Sequence, residues 1–353
     1  MLGLALVVMK NFWKKLKKPI FCLAPMAEVT DCAFRQIIAK YGKPDIFWTE
    51  FVSADGLCSP GKNKLLVDLI YSENERPIVA QIFGGKPDKI RQASALCKEL
   101  GFDGLDINMG CPDKIVEKQC AGAALMKNPK LAREIIRAAK EGGGNLPISV
   151  KTRIGYNQNE IETWIRELLS EGLAALIIHL RTRREMSEAP AHWDLMKRIV
   201  EIRDEMKKET LILGNGDVLD LEGAREKVKE SGCDGVMLGR AIFGNPWLFS
   251  NLRSGYVSKS TDIFLLKNSS CSRQSRSQVF FKHIPSLKEK LQVMIEHTKL
   301  FEKTLSRYKN FAVMKKHYKA YVNGFNGAKK LRTKLMEAKN ASQVEKIIEN
   351  FLK

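Results

Sequence analysis

The stretch Gly104-Leu-Asp-Ile-Asn-Met-Gly-Cys-Pro112 decides the fold of this chain. Its first six residues are apolar with Asp106 and Asn108 interleaved, which predicts a short buried strand. A glycine and a proline then end the strand, so that Cys111 lies where a strand stops and a loop begins. In parallel α/β proteins this edge of the sheet is where functional sites are built. Free cysteine is also among the most buried residue types, so the stretch alone favours neither a functional nor a structural Cys111.

The same pattern recurs along the first two thirds of the chain. Eight apolar runs alternate with amphipathic segments of helical composition, and this alternation predicts a parallel sheet with helical crossovers. We interpret it as a (β/α)₈ TIM barrel, with an open doubly wound sheet as the alternative, because polar residues and glycines cluster at the end of almost every run. The predicted strands are 20–26, 46–52, 77–83, 104–109, 147–152, 175–180, 210–214 and 235–238, and the helical segments between them include 87–100, 129–141, 160–171, 193–207 and 221–231.

Polar side chains at the ends of the runs converge on one face if the barrel closes. A single buried polar residue could be satisfied within a core, but a buried lysine or histidine without a partner is costly, and eight such strand ends in phase indicate a site. The turns Gly214-Asn-Gly-Asp217 and Leu238-Gly-Arg240 follow the last two runs, where barrels commonly bind phosphate. The strand-end residues include Met26, Glu50, Gln81, Asn108, Cys111, Lys151, Arg153, His179, Arg181, Asn215 and Arg240.

The charge of the chain predicts a polyanionic partner. The sequence has 59 Lys and Arg against 40 Asp and Glu, a formal net charge of +19. From Asn251 to Lys353 there are 22 basic and 7 acidic residues, so most of the excess lies in the last third. Nucleic acid is the first expectation for such a skew and an acidic membrane the second, while a merely solvated basic surface is the alternative.

Cysteine spacing and the N-terminal residues bear on metal content and localisation. The eight cysteines form no CxxC pair, so we expect reduced thiols, no metal site and no disulfide. The apolar stretch 1–8 is shorter than the roughly 20 residues that span a bilayer, and a basic cluster follows it rather than precedes it. We therefore expect a cytoplasmic protein without a membrane anchor, in which Met9 is an alternative start.

Composition divides the chain into four predicted parts. Residues 1–18 form an N-terminal extension, 19–251 the barrel, 252–284 a serine-rich linker or insertion, and 285–353 a small all-helical domain that is rich in Lys and Arg. The helical pattern opens at Pro285-Ser286 and continues over about 308–322, 328–337 and 341–352.

With these motifs assembled, the chain resembles the tRNA-dihydrouridine synthases, a flavin-dependent family with a barrel and a C-terminal helical domain. The resemblance spans about residues 21–249 and resumes at 285, with its motifs in order and spacing. They are Ala24-Pro-Met-Ala27, Asn108-Met-Gly-Cys-Pro112, Lys151-Thr-Arg153, Asn215-Gly-Asp217, Gly239-Arg240, Gly244-Asn-Pro-Trp247 and, in the helical domain, His317, Gly324-Phe-Asn-Gly-Ala328 and Leu331-Arg332.

The resemblance implies FMN as cofactor, NADPH as reductant and reduction of tRNA uridines to 5,6-dihydrouridine, with Cys111 as the catalytic acid. A thiol with a pKa of roughly 8.5 is mostly protonated at neutral pH, which suits that role. The implied flavin-binding residues are Pro25, Met26, Ala27, Gln81, Lys151, His179, Asn215, Gly216, Asp217, Gly239 and Arg240. The candidates for tRNA contact are Asn108, Arg153, Arg181, Lys315, Lys316, His317, Lys329 and Arg332.

Two rival functions remain open on the sequence, and we expect a monomer in either case. A flavin barrel acting on a small pyrimidine would not need a basic helical domain. An RNA-binding barrel without chemistry would not need both Cys111 and Lys151.

Overall fold

The structure is a computed structural model, and it describes residues 11–250, 252 and 285–353. Within these residues eight parallel strands form one sheet in the order β1-β8-β7-β6-β5-β4-β3-β2. A parallel bridge between Cys22 and Ile46 joins β1 to the start of β2, so the sheet curls into the expected barrel. The strands are β1 Ile20–Leu23, β2 Phe47–Ser53, β3 Ile78–Phe83, β4 Gly104–Met109, β5 Ile148–Arg153, β6 Ala175–His179, β7 Leu211–Asn215 and β8 Gly235–Leu238.

Thirteen α-helices lie in the described residues. Helices 1–9 belong to the barrel and helices 10–13 form the predicted C-terminal helical region, in agreement with the predicted fold class. They are α1 Cys32–Tyr41, α2 Ala54–Leu57, α3 Lys62–Leu65, α4 Pro87–Glu99, α5 Lys114–Glu117, α6 Pro129–Gly143, α7 Ile161–Ser170, α8 Met196–Glu205, α9 Leu221–Ser231, α10 Leu287–Leu305, α11 Met314–Tyr321, α12 Ala328–Glu337 and α13 Ala341–Leu352.

Local sequence signals explain where the helices begin and end. Helix α9 starts after Asp220, whose carboxylate accepts from the backbone N–H of Gly223 at 2.8 Å, and it ends at Gly232 in the left-handed conformation. Helix α10 starts with a capping box between Ser286 and Glu289. The predicted segments 193–207 and 308–322 differ from the structure in their first turns, which are 3₁₀ at Trp193–Leu195 and Phe311–Val313.

The alternation of side chains along the strands separates two layers of the barrel. Odd-numbered residues of β4 face the surrounding helices, as Leu105, Ile107 and Met109 belong to the apolar core between sheet and helices. Asp106 and Asn108 point the other way, and they pair in register with Ser149 and Lys151 of β5. Apolar residues, including Trp13 of the segment before β1, fill much of the remaining interior. The polar strand residues are thus directed inside the barrel.

The helical domain shares a hydrophobic core with the barrel. Cys32, Ala33 and Ile37 of α1 are buried in one cluster with Met294 of α10 and Tyr318 of α11. Covering this face of α1 stabilises the contact by about 25 cal/mol for each Å² of apolar surface removed from water. The helical domain is therefore packed firmly on the barrel rather than tethered to it.

A buried ion pair also fixes the first turn of α1. Arg35 and Glu75 are both fully buried, and the Arg35 Nε atom lies 2.6 Å from Glu75 Oε2. The same guanidinium donates to the carbonyl oxygens of Thr30 and Ile70. Removal of one partner from such a pair costs about 3–5 kcal/mol, because the other charge remains buried. The pair locks the β1–α1 connection to the segment after β2.

Several predictions fall wholly or partly outside the described residues. They are the start at Met9, most of the 1–18 extension and nearly all of the serine-rich 252–284 segment, so the division into four parts remains a prediction there. In the part that the structure describes, no helix combines the length and apolar character needed to cross a membrane.

Candidate active site

A cavity of about 700 Å³ opens at the carboxyl end of the barrel strands. It is bounded by Lys151 within β5 and by residues at or after the ends of β1, β6, β7 and β8, which the barrel brings to one face although they lie far apart in sequence. Nine of the eleven predicted flavin-binding residues line it, namely Pro25, Met26, Lys151, His179, Asn215, Gly216, Asp217, Gly239 and Arg240.

The two predicted flavin-binding residues that do not line this cavity are Ala27 and Gln81. Ala27 is exposed on the loop after β1. Gln81 is fully buried inside the barrel, where its Nε2 atom donates to Asp106 Oδ2 at 2.7 Å and its Oε1 atom accepts from Asn108 at 3.1 Å. Because both ends of its amide are hydrogen-bonded, Gln81 holds the side chains of Asp106 and Asn108 in place inside the barrel.

Lys151 is the amine of the cavity. Its side chain is half-buried, and the Nζ atom donates to Asn215 Oδ1 at 3.2 Å. The amide of Asn215 is fixed in turn by a 2.8 Å bond to the carbonyl oxygen of Met237. Burial, followed by the charge of Arg153, lowers the pKa of Lys151 to about 8. The amine is therefore mostly protonated at neutral pH and becomes neutral in mild alkali.

Three charged groups fix the histidine and the turn after β7. Arg181 donates from Nη1 to His179 Nε2 at 3.1 Å and forms an ion pair with Asp217, which also accepts from Arg240 at 2.8 Å. Burial, together with the charge of Lys151, lowers the pKa of His179 far below its ordinary value. The ring is thus neutral, accepts at Nε2 and carries its proton on Nδ1.

The turn after β7 depends on a glycine at position 216. Its φ of +131° lies where side chains are disfavoured, and a Cβ there would meet the Cβ of Ala191 at 2.7 Å. Trp193 donates from its indole to the Gly216 carbonyl at 2.8 Å. The backbone at Gly216 therefore packs closely against Ala191 and Trp193 in the connection after β6, immediately before Asp217.

Cys111 lies on the loop after β4. The Oδ1 atom of Asn108 accepts from the backbone N–H groups of Gly110 at 3.1 Å and Cys111 at 2.9 Å, which folds the loop back over the strand end. The thiol is half-buried beside the cluster of Phe83, Val116 and Ala121, and Cys111 is not among the residues that line the cavity. Burial raises its pKa, so the thiol stays protonated at neutral pH.

Electrostatics nevertheless link Cys111 to the cavity. The charges of Arg153 and Lys151 both act on the thiol. In register, the Asn108 that holds the loop pairs with Lys151 on the next strand. Cys111 therefore lies at the same end of the barrel as the cavity, but outside its lining.

The three barrel residues predicted to contact tRNA are buried. Arg153 and Arg181 are 6% and 2% exposed, and Asn108 is 6% exposed. Arg153 donates to the carbonyl oxygens of Gly110 at 2.8 Å and Met186 at 2.8 Å, so it ties the Cys111 loop to the loop after β6. These polar groups therefore already have protein partners, and Arg181 also lines the cavity, while their contact with tRNA stays a prediction.

The helical-domain candidates divide into surface and interior residues. Lys316 and Lys329 are exposed and Lys315 is half-buried. Arg332 is half-buried and donates to the Val322 carbonyl at 2.7 Å, where it closes the end of α11. His317 is fully buried, and its ring lies 4.7 Å from that of Phe34, centroid to centroid. The contact of His317 with RNA stays a prediction, and it is one that the burial of this ring does not support.

Sequence reasoning missed two supporting groups. Asp106 accepts from Ser149 Oγ at 2.5 Å as well as from Gln81, and burial raises its pKa to about 6. Its position two residues before Asn108 within an apolar strand was an available signal. Lys309 reaches the carboxylate of Glu50 in the middle of β2, and no local signal in the sequence could have indicated so distant a partner.

Among the described residues, no group of three or more histidines, cysteines or carboxylates is arranged to hold a metal ion. The seven cysteines in this part of the chain are free thiols.

Comparisons with known proteins identify the family. The family model described as dihydrouridine synthase matches residues 22–353. The probable tRNA-dihydrouridine synthase 2 of Bacillus subtilis (strain 168) is 38% identical over 344 residues, which cover 97% of this chain and 97% of that protein. The probable tRNA-dihydrouridine synthase of Staphylococcus aureus (strain COL) is 37% identical over 97% of this chain and 96% of that protein.

A solved structure supports the fold independently. Histamine dehydrogenase from Rhizobium sp. 4-9 superposes with a TM-score of 0.50 at 12% identity, over 69% of this chain and 48% of that chain. At that identity the likeness concerns the fold alone. The match of the family model over nearly the whole length, the identity to the two bacterial relatives and the barrel with its polar cavity together assign this chain to the dihydrouridine synthase family.

Proposed function

We propose that this protein reduces uridines in tRNA to 5,6-dihydrouridine, with FMN as bound cofactor, NADPH as reductant and Cys111 as proton donor. The observation that carries the proposal is the convergence of Lys151, His179, the turn 215–217 and Arg240 on one cavity in a chain of this family.

The cavity residues fit a flavin mononucleotide. In the part of the chain that the structure describes, Lys151 donates to one acceptor, Asn215, so a protonated amine retains donors for a polar ring edge. Arg240 is 65% exposed at the rim and is anchored through Asp217, which suits a cation that meets a phosphate. Met26 supplies apolar surface on the same wall. When bound there, FMN would supply the hydride for the reduction.

The chain's own residues would divide the remaining work. Lys151 would stabilise negative charge at the ring edge through its ammonium group. His179, held neutral and oriented by Arg181, would donate from Nδ1. The protonated Cys111 thiol would give its proton to the uracil carbon that does not receive hydride. Since Cys111 lies at the same end of the barrel as the cavity but outside its lining, the uracil base would have to enter between the thiol and the bound flavin. To do so, the base must unstack from its neighbours in the RNA.

The helical domain would supply most of the RNA affinity. Residues 285–353 contain 16 Lys and Arg against 6 Glu and no Asp. Phosphate contacts from such a surface depend steeply on salt and steer the RNA before any base enters the cavity. The exposed Lys316 and Lys329 are the first candidates, while the half-buried Lys315 and Arg332 are less accessible.

One experiment tests the whole proposal. The purified protein is assayed for bound flavin and then incubated with unmodified tRNA transcript and either NADPH or NADH, and dihydrouridine is measured by mass spectrometry. We expect a yellow protein that is bleached by NADPH and that forms dihydrouridine. A protein that binds no FMN, or one that reduces free uracil or orotate but not tRNA, would contradict it.

A further inference from the structure

The loop after β1 contains an unusual backbone conformation next to the cavity. Met26 lines the cavity, and Glu28, two residues further on, has a φ of +55°. Residues other than glycine rarely adopt this left-handed region, so surrounding contacts must hold it. The backbone N–H of Glu28 donates to Glu50 Oε1 in a short hydrogen bond. The carboxylate of Glu50 is thus the direct support of this loop.

Glu50 is itself held by the helical domain. Its side chain is 5% exposed at β2, and Oε2 lies 2.6 Å from the Nζ atom of Lys309. Lys309 is on the connection between α10 and α11, and it also pairs with Asp68 at 2.7 Å. Its own side chain is only 13% exposed. Burial by itself would lower the pKa of Lys309, but the two carboxylates outweigh it and raise the pKa, so the amine is charged.

A second lysine of the helical domain reaches the same loop. Lys316 of α11 forms an ion pair with the carboxylate of Glu28, and both side chains are at least half exposed. Because solvent screens its charges, the Lys316–Glu28 pair contributes little to stability, whereas the Lys309–Glu50 pair is buried away from water. Inside the loop, Met26 donates from its backbone N–H to Thr30 Oγ1 at 2.9 Å, and the Met26 carbonyl accepts from the backbone N–H of Thr30 at 3.0 Å. Glu28 therefore lies within a hydrogen-bonded turn that begins at Met26, the residue that lines the cavity.

We propose that Lys309 is a positioning residue of the cofactor site, which acts through Glu50 on the Glu28 backbone and so fixes the segment Pro25–Ala27 against the cavity. The helical domain then has a role besides RNA binding: it completes the wall of the flavin site. This inference deepens the proposed function and rests on it for the flavin measurements, but the conformation of the loop can be tested without any cofactor.

The test compares Lys309→Met with Lys40→Met in the full chain. Lys40 is a matched control because it also joins barrel and helical domain, by a 2.6 Å ion pair with Glu296, but it does not reach the loop. We measure amide hydrogen exchange of residues 26–30, the dissociation constant for FMN, the visible spectrum of the bound flavin and the affinity for tRNA.

For Lys309→Met we expect at least tenfold faster exchange at Glu28, at least fivefold weaker FMN binding and a shifted flavin absorption band. Its affinity for tRNA should change less than about threefold, as expected when no exposed phosphate contact is lost. Lys309→Arg should restore the spectrum, because it keeps the charge. Lys40→Met should leave all four measurements near those of the parent.

Two outcomes would overturn the proposal. One is parental exchange and parental FMN affinity in a folded Lys309→Met protein. The other is a change confined to tRNA affinity. Glu50→Gln provides the same test if Lys309→Met does not fold, because it removes the charge of the partner at nearly constant size, and parental exchange in that variant also rejects the proposal. A parent that binds no FMN would reject the proposed function, while the exchange measurement would still decide the role of Lys309.

Discussion

The basic residues of the barrel mouth differ from those of the helical domain in what they contact. Arg153 and Arg181 are 6% and 2% exposed, and both donate to acceptors of the loops around the cavity. On the helical domain, Lys319, Lys329 and Lys330 are exposed to solvent. A net charge read from sequence does not make this distinction. The buried cations fix geometry, while the exposed ones create the long-range field that attracts a polyanion.

The barrel mouth and the helical domain should therefore control different properties of the protein. Changes at the barrel mouth should affect cofactor binding or chemistry and leave RNA affinity nearly constant. Changes on the helical surface should do the reverse. Lys309 is the expected exception, because it belongs to the helical domain but contacts the barrel.

The largest effect is expected for Cys111→Ala. Loss of the proton donor should lower the rate of dihydrouridine formation by about 10²–10⁴-fold, the range for a general acid, with flavin content unchanged. Mass spectrometry of tRNA and the flavin spectrum measure the two quantities. Cys120→Ala is the control, since that cysteine lies in the same connection between β4 and α6 but is exposed. Turnover equal to that of the parent would show that Cys111 is structural.

The second largest effect is expected for Lys151→Met. Lys151 is the one lysine among the described residues that line the cavity, and its removal should slow reduction of the bound flavin by NADPH about 100-fold, as for loss of a preorganised charge. Stopped-flow absorbance measures this step without RNA.

The same amine predicts a pH dependence. Since burial lowers the pKa of Lys151 to about 8, its charge is present below that pH and is lost above it. Flavin reduction in the parent should therefore fall as pH rises through about 8. In Lys151→Arg, whose guanidinium stays protonated, this fall should be absent or displaced to higher pH. An identical profile in both proteins would assign the titration to another group.

Arg240→Ala should have a smaller effect. Its guanidinium is exposed and paired with Asp217, so we expect about fivefold to tenfold weaker FMN binding, in line with one charge-assisted contact. Fluorescence titration of the apoprotein measures it, with Arg225→Ala, on helix α9, as the control. Full retention of FMN after dialysis would contradict the phosphate assignment.

The smallest effect is expected for Lys329→Ala/Lys330→Ala. Loss of two exposed cations should weaken tRNA binding about threefold to tenfold and reduce the slope of log affinity against log salt by about two. The adjacent pair Lys14→Ala/Lys15→Ala, which is exposed and precedes β1 at the opposite end of the barrel, is the matched control. Equal salt slopes in both double variants would place the RNA elsewhere.

Surface substitutions test the helical domain better than its removal would. Because Cys32, Ala33 and Ile37 of α1 are buried against it, deletion of residues 285–353 would expose an apolar face and release the ion pair of Glu50. Loss of flavin in such a truncated protein would follow from unfolding as readily as from a lost RNA site.

The sequence by itself determined the eight strands, most of the helix limits and the set of residues at the strand ends. These features depend on local physics: the period of apolar residues, glycine and proline breaks, and capping residues such as Asp220. Nine of the eleven predicted flavin-binding residues line one cavity because every strand of a parallel barrel ends at the same face.

Only the tertiary structure decided which polar groups remain accessible. Arg153, Arg181 and His317 are of residue types that often contact RNA, but packing buries their side chains. Gln81 is buried inside the barrel and does not line the cavity. The support of Glu28 by Glu50 and Lys309 joins residues up to 281 positions apart, a pairing that no local pattern encodes. Burial, partner choice and shifted pKa values follow from long-range packing, because each depends on what the rest of the chain places around the group.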